Sequence, residues 1–230
     1  MADRDRPVLE WEGVALTYAG PPPVVALQPT DLVIEAGAYV AITGPSGSGK
    51  STLLNILGLL DRPTAGTYRL GGDAVPSLSD GELASLRARW FGFIFQRFHL
   101  VPTLSAVENV GLGLMYGGVA RRDRRPLAMD ALQRVGLDAR SQHRPSALSG
   151  GEQQRVAIAQ AIARDQAFVL ADEPTGSLDS RTAGTILDLL DDLAADGRGI
   201  VCVTHSAEVA ARASTRIDVL DGVVTTRQVA

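Results

Sequence analysis

The stretch GPSGSGKST at residues 44–52 gathers glycines, hydroxyls and a single lysine within nine positions. Gly44, Gly49, Lys50 and Ser51 satisfy the pattern G-x-x-x-x-G-K-[ST], which acts on phosphates. With no side chain at Gly44, Gly47 and Gly49, successive backbone N–H groups can curl inward past Pro45, Ser46 and Ser48 around an anion. The helix expected to start at Lys50 adds its positive dipole end. Lys50 would reach the outer phosphates, the Ser51 hydroxyl would ligate Mg²⁺, and Thr52 extends the hydroxyl pair.

FVLADE at 168–173 supplies the acids. An apolar strand ending in carboxylates carries negative charge to the sheet edge where a phosphate loop opens. Asp172 is placed to hold Mg²⁺ directly or through water, and Glu173 faces differently and could polarise an attacking water. LSGGEQQRV at 148–156 poses a local contradiction. Ser149 and Glu152 form a capping-box pattern that starts a helix. Yet Gly150 and Gly151 occupy its first turn, where each costs roughly 1 kcal/mol relative to alanine. A helix head stripped of side chains implies that something comes very close to its backbone, and this stretch alone leaves open what that is.

These segments need a scaffold. VLEWEGVALTY (8–18) and VVALQPTDLVI (24–34) are expected strands around the turn-forming AGPPP. AYVAIT (38–43) is a strand feeding the glycine-rich loop, and a helix follows over 50–60. GTYRLGG (66–72) is a further strand. Residues 79–136 are expected to be mostly helical, interrupted by the aromatic-rich WFGFIFQRF at 90–98. The helix from Ser149 presents Val156, Ala159, Ile162 and Ala163 on one face and leads to strand 167–171. Helix 181–195, with Ile186, Leu189, Leu190 and Leu193 on one face, precedes strand 199–204. RIDVLDGVVTTR folds as a hairpin at Asp221-Gly222. Alternating strands and helices imply an α/β core with a parallel sheet.

Composition narrows the class. The 230 residues are 45% hydrophobic, enough for a real core, and the net charge of −4 argues against nucleic acid as a partner. RRDRR at 121–125 is read as a solvated helix start. Cys202, the only cysteine, lies in GIVCV and is a buried structural thiol, so disulfides are excluded. The longest apolar run, LLNILGLL at 53–60, is too short to span a bilayer, and MADRDRPVLE has no apolar signal-peptide core. A soluble, cytoplasmic chain is expected.

Together, the motifs resemble those of ABC-type ATPases, in which LSGGEQQ is the signature sequence and lies upstream of the acidic strand. The resemblance covers essentially the whole chain. It implies an α/β fold: a P-loop NTPase core with a mainly parallel sheet, an antiparallel β subdomain and a helical subdomain at about 79–165, all in a single domain, 1–230. It implies ATP and Mg²⁺ as cofactors. It also implies a head-to-tail dimer with a second copy, in which Ser149, Gly150 and Gly151 face the γ-phosphate held by the partner's loop.

Further roles follow from the same resemblance. Tyr18 matches the residue that stacks on adenine, and Asp179 in GSLDS matches a loop crossing the dimer interface. Gln96 matches the glutamine touching Mg²⁺ and the water, and His205 the switch histidine at the γ-phosphate. With Lys50 and Glu173, Gln96 and His205 complete the catalytic group, and Ser51, Gln96 and Asp172 the metal group. His99 and His143 receive no role.

STLLNILGLLDRPTAG, FQRFHLVPTLSAVENV and LADEPTGSLDS are similar to the MacB/LolD-type subfamily. That likeness implies an integral-membrane permease of FtsX/MacB type, docked on the helical segment, with this chain peripheral on the cytoplasmic face of the membrane. Gln160, Gln166 and Ser206 depart from that pattern, none at a phosphate-binding position. An FtsE-like signalling ATPase, transmitting force without moving a substrate, is the alternative. A DNA-repair or translation ABC protein would need two cassettes or long insertions.

Overall fold

The computed structural model describes residues 7–35, 37–75, 78–176 and 178–229. Residues 1–6, most of the stretch read as lacking a signal peptide, lie outside them. Two long strands, β1 (Pro7–Tyr18) and β2 (Val24–Glu35), come first, followed by β3 (Tyr39–Thr43) and helix α1 (Lys50–Leu57). Then come β4 (Ala65–Leu70), β5 (Asp73–Ala74), α2 (Asp80–Trp90), β6 (Phe91–Ile94), α3 (Ala106–Tyr116) and α4 (Arg121–Arg134). The rest comprises α5 (Gly150–Ile162), β7 (Phe168–Asp172), α6 (Ser180–Ala195), β8 (Gly199–Val203), α7 (Ala207–Arg212), β9 (Thr215–Leu220) and β10 (Val223–Gln228).

The strands form two sheets. One is antiparallel, in the order β2-β1-β4-β5. The other runs β10-β9-β3-β8-β7-β6, parallel throughout except for edge strand β10. Every residue of β3 and β8 is buried, as a parallel sheet covered on both faces requires. Side chains alternate strictly between two cores. Tyr39, Ala41, Val169, Ala171, Ile200 and Cys202 join the core built from α3 to α7. Val40, Ile42, Phe168, Leu170, Val201 and Val203 join the core shared with α1 and the antiparallel sheet. Burial pushes the Cys202 thiol up to about 12, consistent with an inert structural cysteine.

Several expectations need correction. The helix from Lys50 ends at Leu57, not Leu60, because Gly58 packs against Phe93 with no room for a Cβ and Leu59 turns left-handed at φ 58°. The aromatic-rich interruption expected at 90–98, given no element of its own, contains a core strand, Phe91–Ile94, pairing residue by residue with Phe168–Ala171. Four residues are too short to announce a strand by period, and Gly92 is needed because a Cβ there would collide with the Ala161 carbonyl of α5. The loop after it is organised by buried Asn109, whose side chain accepts from Val101 N–H at 2.7 Å and donates to the Val101, Leu104 and Ser105 carbonyls. On α6 the fully buried set contains Leu187, and Leu189 is only partly buried. Helix α5 buries Ala157, Ile158 and Ala161 as well as the expected face, because it is enclosed nearly all round. The hairpin turn at Asp221-Gly222 forms as expected, with φ of 49° and 76°. The arginines of RRDRR start α4 and are exposed apart from half-buried Arg124.

Candidate active site

Parallel strands deliver their C-terminal ends to one edge, and the strand order decides which loops meet there. Adjacent β3, β8 and β7 end in the glycine-rich loop, in Thr204-His205 and in Asp172-Glu173, and β6 leads to Gln96. Segments more than 150 residues apart in sequence thereby converge.

The loop is shaped by backbone that only glycine tolerates. Gly44, Gly47 and Gly49 have φ of 148°, 77° and 110°. A Cβ on Gly44 would collide with the Val219 carbonyl, and one on Gly49 would lie 2.5 Å from Ala26 O. Around Gly47 there is open space. Lys50 is only 7% exposed, and its ammonium donates to the carbonyls of Gly44 (2.9 Å) and Pro45 (2.8 Å). Its charge is thus anchored inside the loop's curl. Ser51 is exposed, Thr52 is partly buried, and Ser48 is buried with a hydroxyl that has no hydrogen-bond partner among the described residues.

The acids sit under tension with their surroundings. Burial raises the pKa of Asp172, with the charges of Lys50 and His205 pulling it down. Burial also raises that of Glu173, opposed by the His205 imidazole and backbone amide. His205 Nε2 lies 3.6 Å from Glu173 Oε1, an atom buried without a hydrogen bond among the described residues. Glu173 adopts φ 48°, a left-handed conformation unusual for a side-chain-bearing residue, held by its N–H to Val203 O (3.0 Å) and its carbonyl to Gly176 N–H (3.1 Å). A half-buried carboxylate pair beside a lysine and a histidine can hold a divalent cation and direct a water.

A cleft of about 430 Å³ opens over the loop, lined by Tyr18, Val24, Val25, Lys50, Ser51 and Asp221 among others. Tyr18 is 43% exposed there, its hydroxyl donating to Asp61 (3.2 Å), so the ring face is available. Gln96 is exposed just past β6. Ser149, Gly150 and Gly151 do not line this cleft. Ser149 caps α5 in the expected capping box, with Glu152 returning its carboxylate to Ser149 N–H at 2.8 Å. Space beyond Gly150 is open, but a Cβ on Gly151 would lie 3.1 Å from Thr182 of the same chain. Asp179 caps α6, accepting from Thr182 N–H at 3.0 Å and from its hydroxyl at 2.8 Å.

Sequence reasoning missed Gln154, which is 2% exposed and ties α5 to the turn after Glu173 by donating to Pro174 O at 3.0 Å. A polar residue deep inside an enclosed helix was its only signal. It also missed Thr204, whose buried hydroxyl accepts from Ser206 N–H (3.0 Å) and shapes the turn carrying His205. Of the three departures, Ser206 caps α7, Gln160 packs toward Gly113 in a groove, and Gln166 is buried among the carbonyls at the end of α5.

The family model described as "ABC transporter" matches residues 27–176, which include the loop, the Ser149 helix and the acidic strand end. The chain belongs to the ABC transporter family. It is 53% identical over 220 residues to the macrolide export ATP-binding/permease protein MacB of Rhodopseudomonas palustris (strain BisB18), a match spanning 95% of this chain and 34% of that protein. Identity to the pyoverdine export ATP-binding/permease protein PvdT of Pseudomonas fluorescens (strain Pf0-1) is 48%, with 95% and 34% covered. The chain therefore spans about a third of the length of these relatives. Among solved structures it is similar to the ATP-binding cassette MJ0796 in a dimeric post-hydrolysis state bound to ADP and Pi, with TM-score 0.89 and 41% identity. That match covers 96% of this chain and 98% of the other. In this family member, as in the sequence reading, no helix among the described residues is long and apolar enough to cross a membrane.

The residues present fit a nucleotide and its cation. The Ser48 hydroxyl and the anchored Lys50 ammonium line the cleft, and the burial-raised Asp172 and Glu173 lie close enough to Lys50 to feel its charge.

Proposed function

We propose that this chain is the ATP-binding subunit of an ABC transporter and hydrolyses ATP as a head-to-tail dimer. One observation carries the reading. The phosphate loop, Asp172, Glu173 and His205 converge on one sheet edge, yet Ser149 and Gly150 at the bare head of α5 are exposed and take no part in lining the cleft over the loop. A second copy, turned head to tail, would bring its Ser149, Gly150 and Gly151 onto the γ-phosphate, closing the site.

Bound ATP and Mg²⁺ supply the triphosphate and its charge-neutralising cation, with Ser51, Asp172 and Gln96 as the metal-holding residues. Tyr18 offers its ring to the adenine. Lys50 and the amides of residues 44–49 hold the phosphates and stabilise charge on the transferring group. Glu173 takes a proton from the attacking water, and His205 keeps that carboxylate oriented and contacts the γ-phosphate. Asp179 is assigned to the seam between copies.

The chain works as one cassette, with a helical subdomain over about 79–165 and a peripheral place on the cytoplasmic membrane face. Its groove of about 530 Å³, lined by Phe93, Phe95, Phe98, Tyr116 and Gln160 among others, offers aromatic surface to a cytoplasmic segment of an FtsX/MacB-type permease. The names of its MacB and PvdT relatives favour export of a small organic compound over pure signalling. Co-purification of the Glu173→Gln variant from membranes tests this. An associated permease is the expected result, and recovery of the variant solely from the soluble fraction would overturn the assignment.

A further inference from the structure

The β9–β10 hairpin lies outside the matched stretch 27–176, and the chemistry above makes no use of its hydrogen bonds. Nevertheless it grips the phosphate loop at two points. At the loop's entry, Thr43 Oγ1 donates to Asp218 Oδ1 at 2.5 Å. Asp218 is itself held by Arg216 Nε at 3.1 Å and by Arg227 Nε at 2.9 Å. One residue on, Gly44 packs so closely on the Val219 carbonyl that no side chain fits. In the middle of the loop, Gly222 N–H at the hairpin turn donates to Ser48 O at 2.9 Å. The same Gly222 accepts from Gln28 N–H of β2 at 2.9 Å, so the turn is clamped between loop and sheet. Gly222 is buried at φ 76°, and a Cβ there would lie 3.2 Å from Ala26 O.

We propose that this hairpin is a brace that fixes the shape of the phosphate loop before nucleotide arrives, with Gly222, Thr43 and Asp218 as positioning residues. The inference rests on reading residues 44–51 as the ATP phosphate loop. A loop containing Gly44, Gly47 and Gly49 has wide conformational freedom, and convergence of its amides on phosphates must be ordered by something. Ordering it in advance by contacts to Thr43 and Ser48 removes that cost from binding. Both contacts join groups of the chain to one another, so the effect should appear in affinity.

Equilibrium binding of the fluorescent analogue mant-ATP with Mg²⁺ to the full chain tests the brace, with thermal unfolding measured on each variant. Gly222→Val should weaken binding at least tenfold. Gly118→Val is the strain control, since Gly118 is equally left-handed (φ 78°), exposed and remote from the loop, and it should stay within twofold of wild type. Thr43→Val should weaken binding at least threefold, and Thr43→Ser, which keeps the hydroxyl, should restore it. The brace is overturned if Gly222→Val binds within twofold of wild type, or if Gly118→Val loses as much. Should Gly222→Val not fold, the Thr43 pair decides, and equal affinity of Thr43→Val and Thr43→Ser overturns the proposal. Wild-type chain that did not bind mant-ATP would overturn the phosphate-loop reading as well, whereas wild-type binding with unaffected variants overturns the brace alone.

Discussion

The phosphate loop and the head of α5 are both glycine-bearing helix starts built for an anion, and they are finished to opposite degrees. The loop is enclosed by its own chain: Gly44 by Val219, Gly49 by Ala26, Lys50 by two carbonyls, Ser48 by Gly222. The head of α5 has Ser149 and Gly150 exposed, with open space past Gly150 and Thr182 and Leu178 beside Gly151. Glycine therefore serves two purposes here. In the loop it permits left-handed backbone and tight packing within one molecule. At Gly150 it leaves room that no described residue fills, as expected of half a site.

Substitutions can break or sharpen this contrast. The largest effect is expected from Glu173→Gln, which should lower steady-state ATP hydrolysis about 10²–10⁴-fold while retaining ATP and accumulating dimer on size exclusion. Full turnover would remove Glu173 from its assigned role. The same variant should unfold at a higher temperature at pH 7. Burial raises the Glu173 pKa, so its ionised form destabilises the fold, and that loss grows as pH rises from the ordinary carboxylate value through the raised one. Below the ordinary value both forms are neutral, and the difference in Tm between variant and wild type should shrink.

Next comes Gly150→Asp. A carboxylate in the first turn of α5 suits the helix dipole, so Tm should hold or rise slightly. Facing a partner's γ-phosphate it is repelled, so hydrolysis should collapse while mant-ATP binding to the monomer is unchanged. Retained hydrolysis would mean that no second molecule's phosphates approach this helix. By comparison, Gly49→Ala should weaken nucleotide binding and stability together, because its Cβ meets Ala26 O within one chain. Smallest is Ser149→Ala, which removes the cap and should cost about 1 kcal/mol by denaturant unfolding. Gly151 is a poorer probe of the half-site than Gly150, since bulk there first displaces Thr182.

Local chemistry was legible along the chain wherever a few contiguous residues carry it. The motif at 44–52 specified its own turn, because Gly44, Gly47 and Gly49 admit the required dihedrals and Lys50 folds back over only six residues. The Ser149–Glu152 capping box and the Asp221-Gly222 turn likewise formed as their spacing demands. The sequence by itself therefore determined the reactive groups and the helices and turns that present them, since those depend on backbone sterics and hydrogen bonds within a turn or two.

Strand pairing and packing decided the rest. Phe91–Ile94 became a core strand by pairing with β7, and Leu187 joined Ile186, Leu190 and Leu193 in the fully buried set of α6, with Leu189 partly buried against the same core. Gln154, Thr204 and the Gly222 contact to Ser48 owe their meaning to neighbours that are remote in sequence or hidden until the chain folds. The meeting of residues 44, 172 and 205 at one edge follows from the order β3-β8-β7. That order is set by which distant apolar surfaces bury each other best, an energy spread over the whole core and written in no single motif.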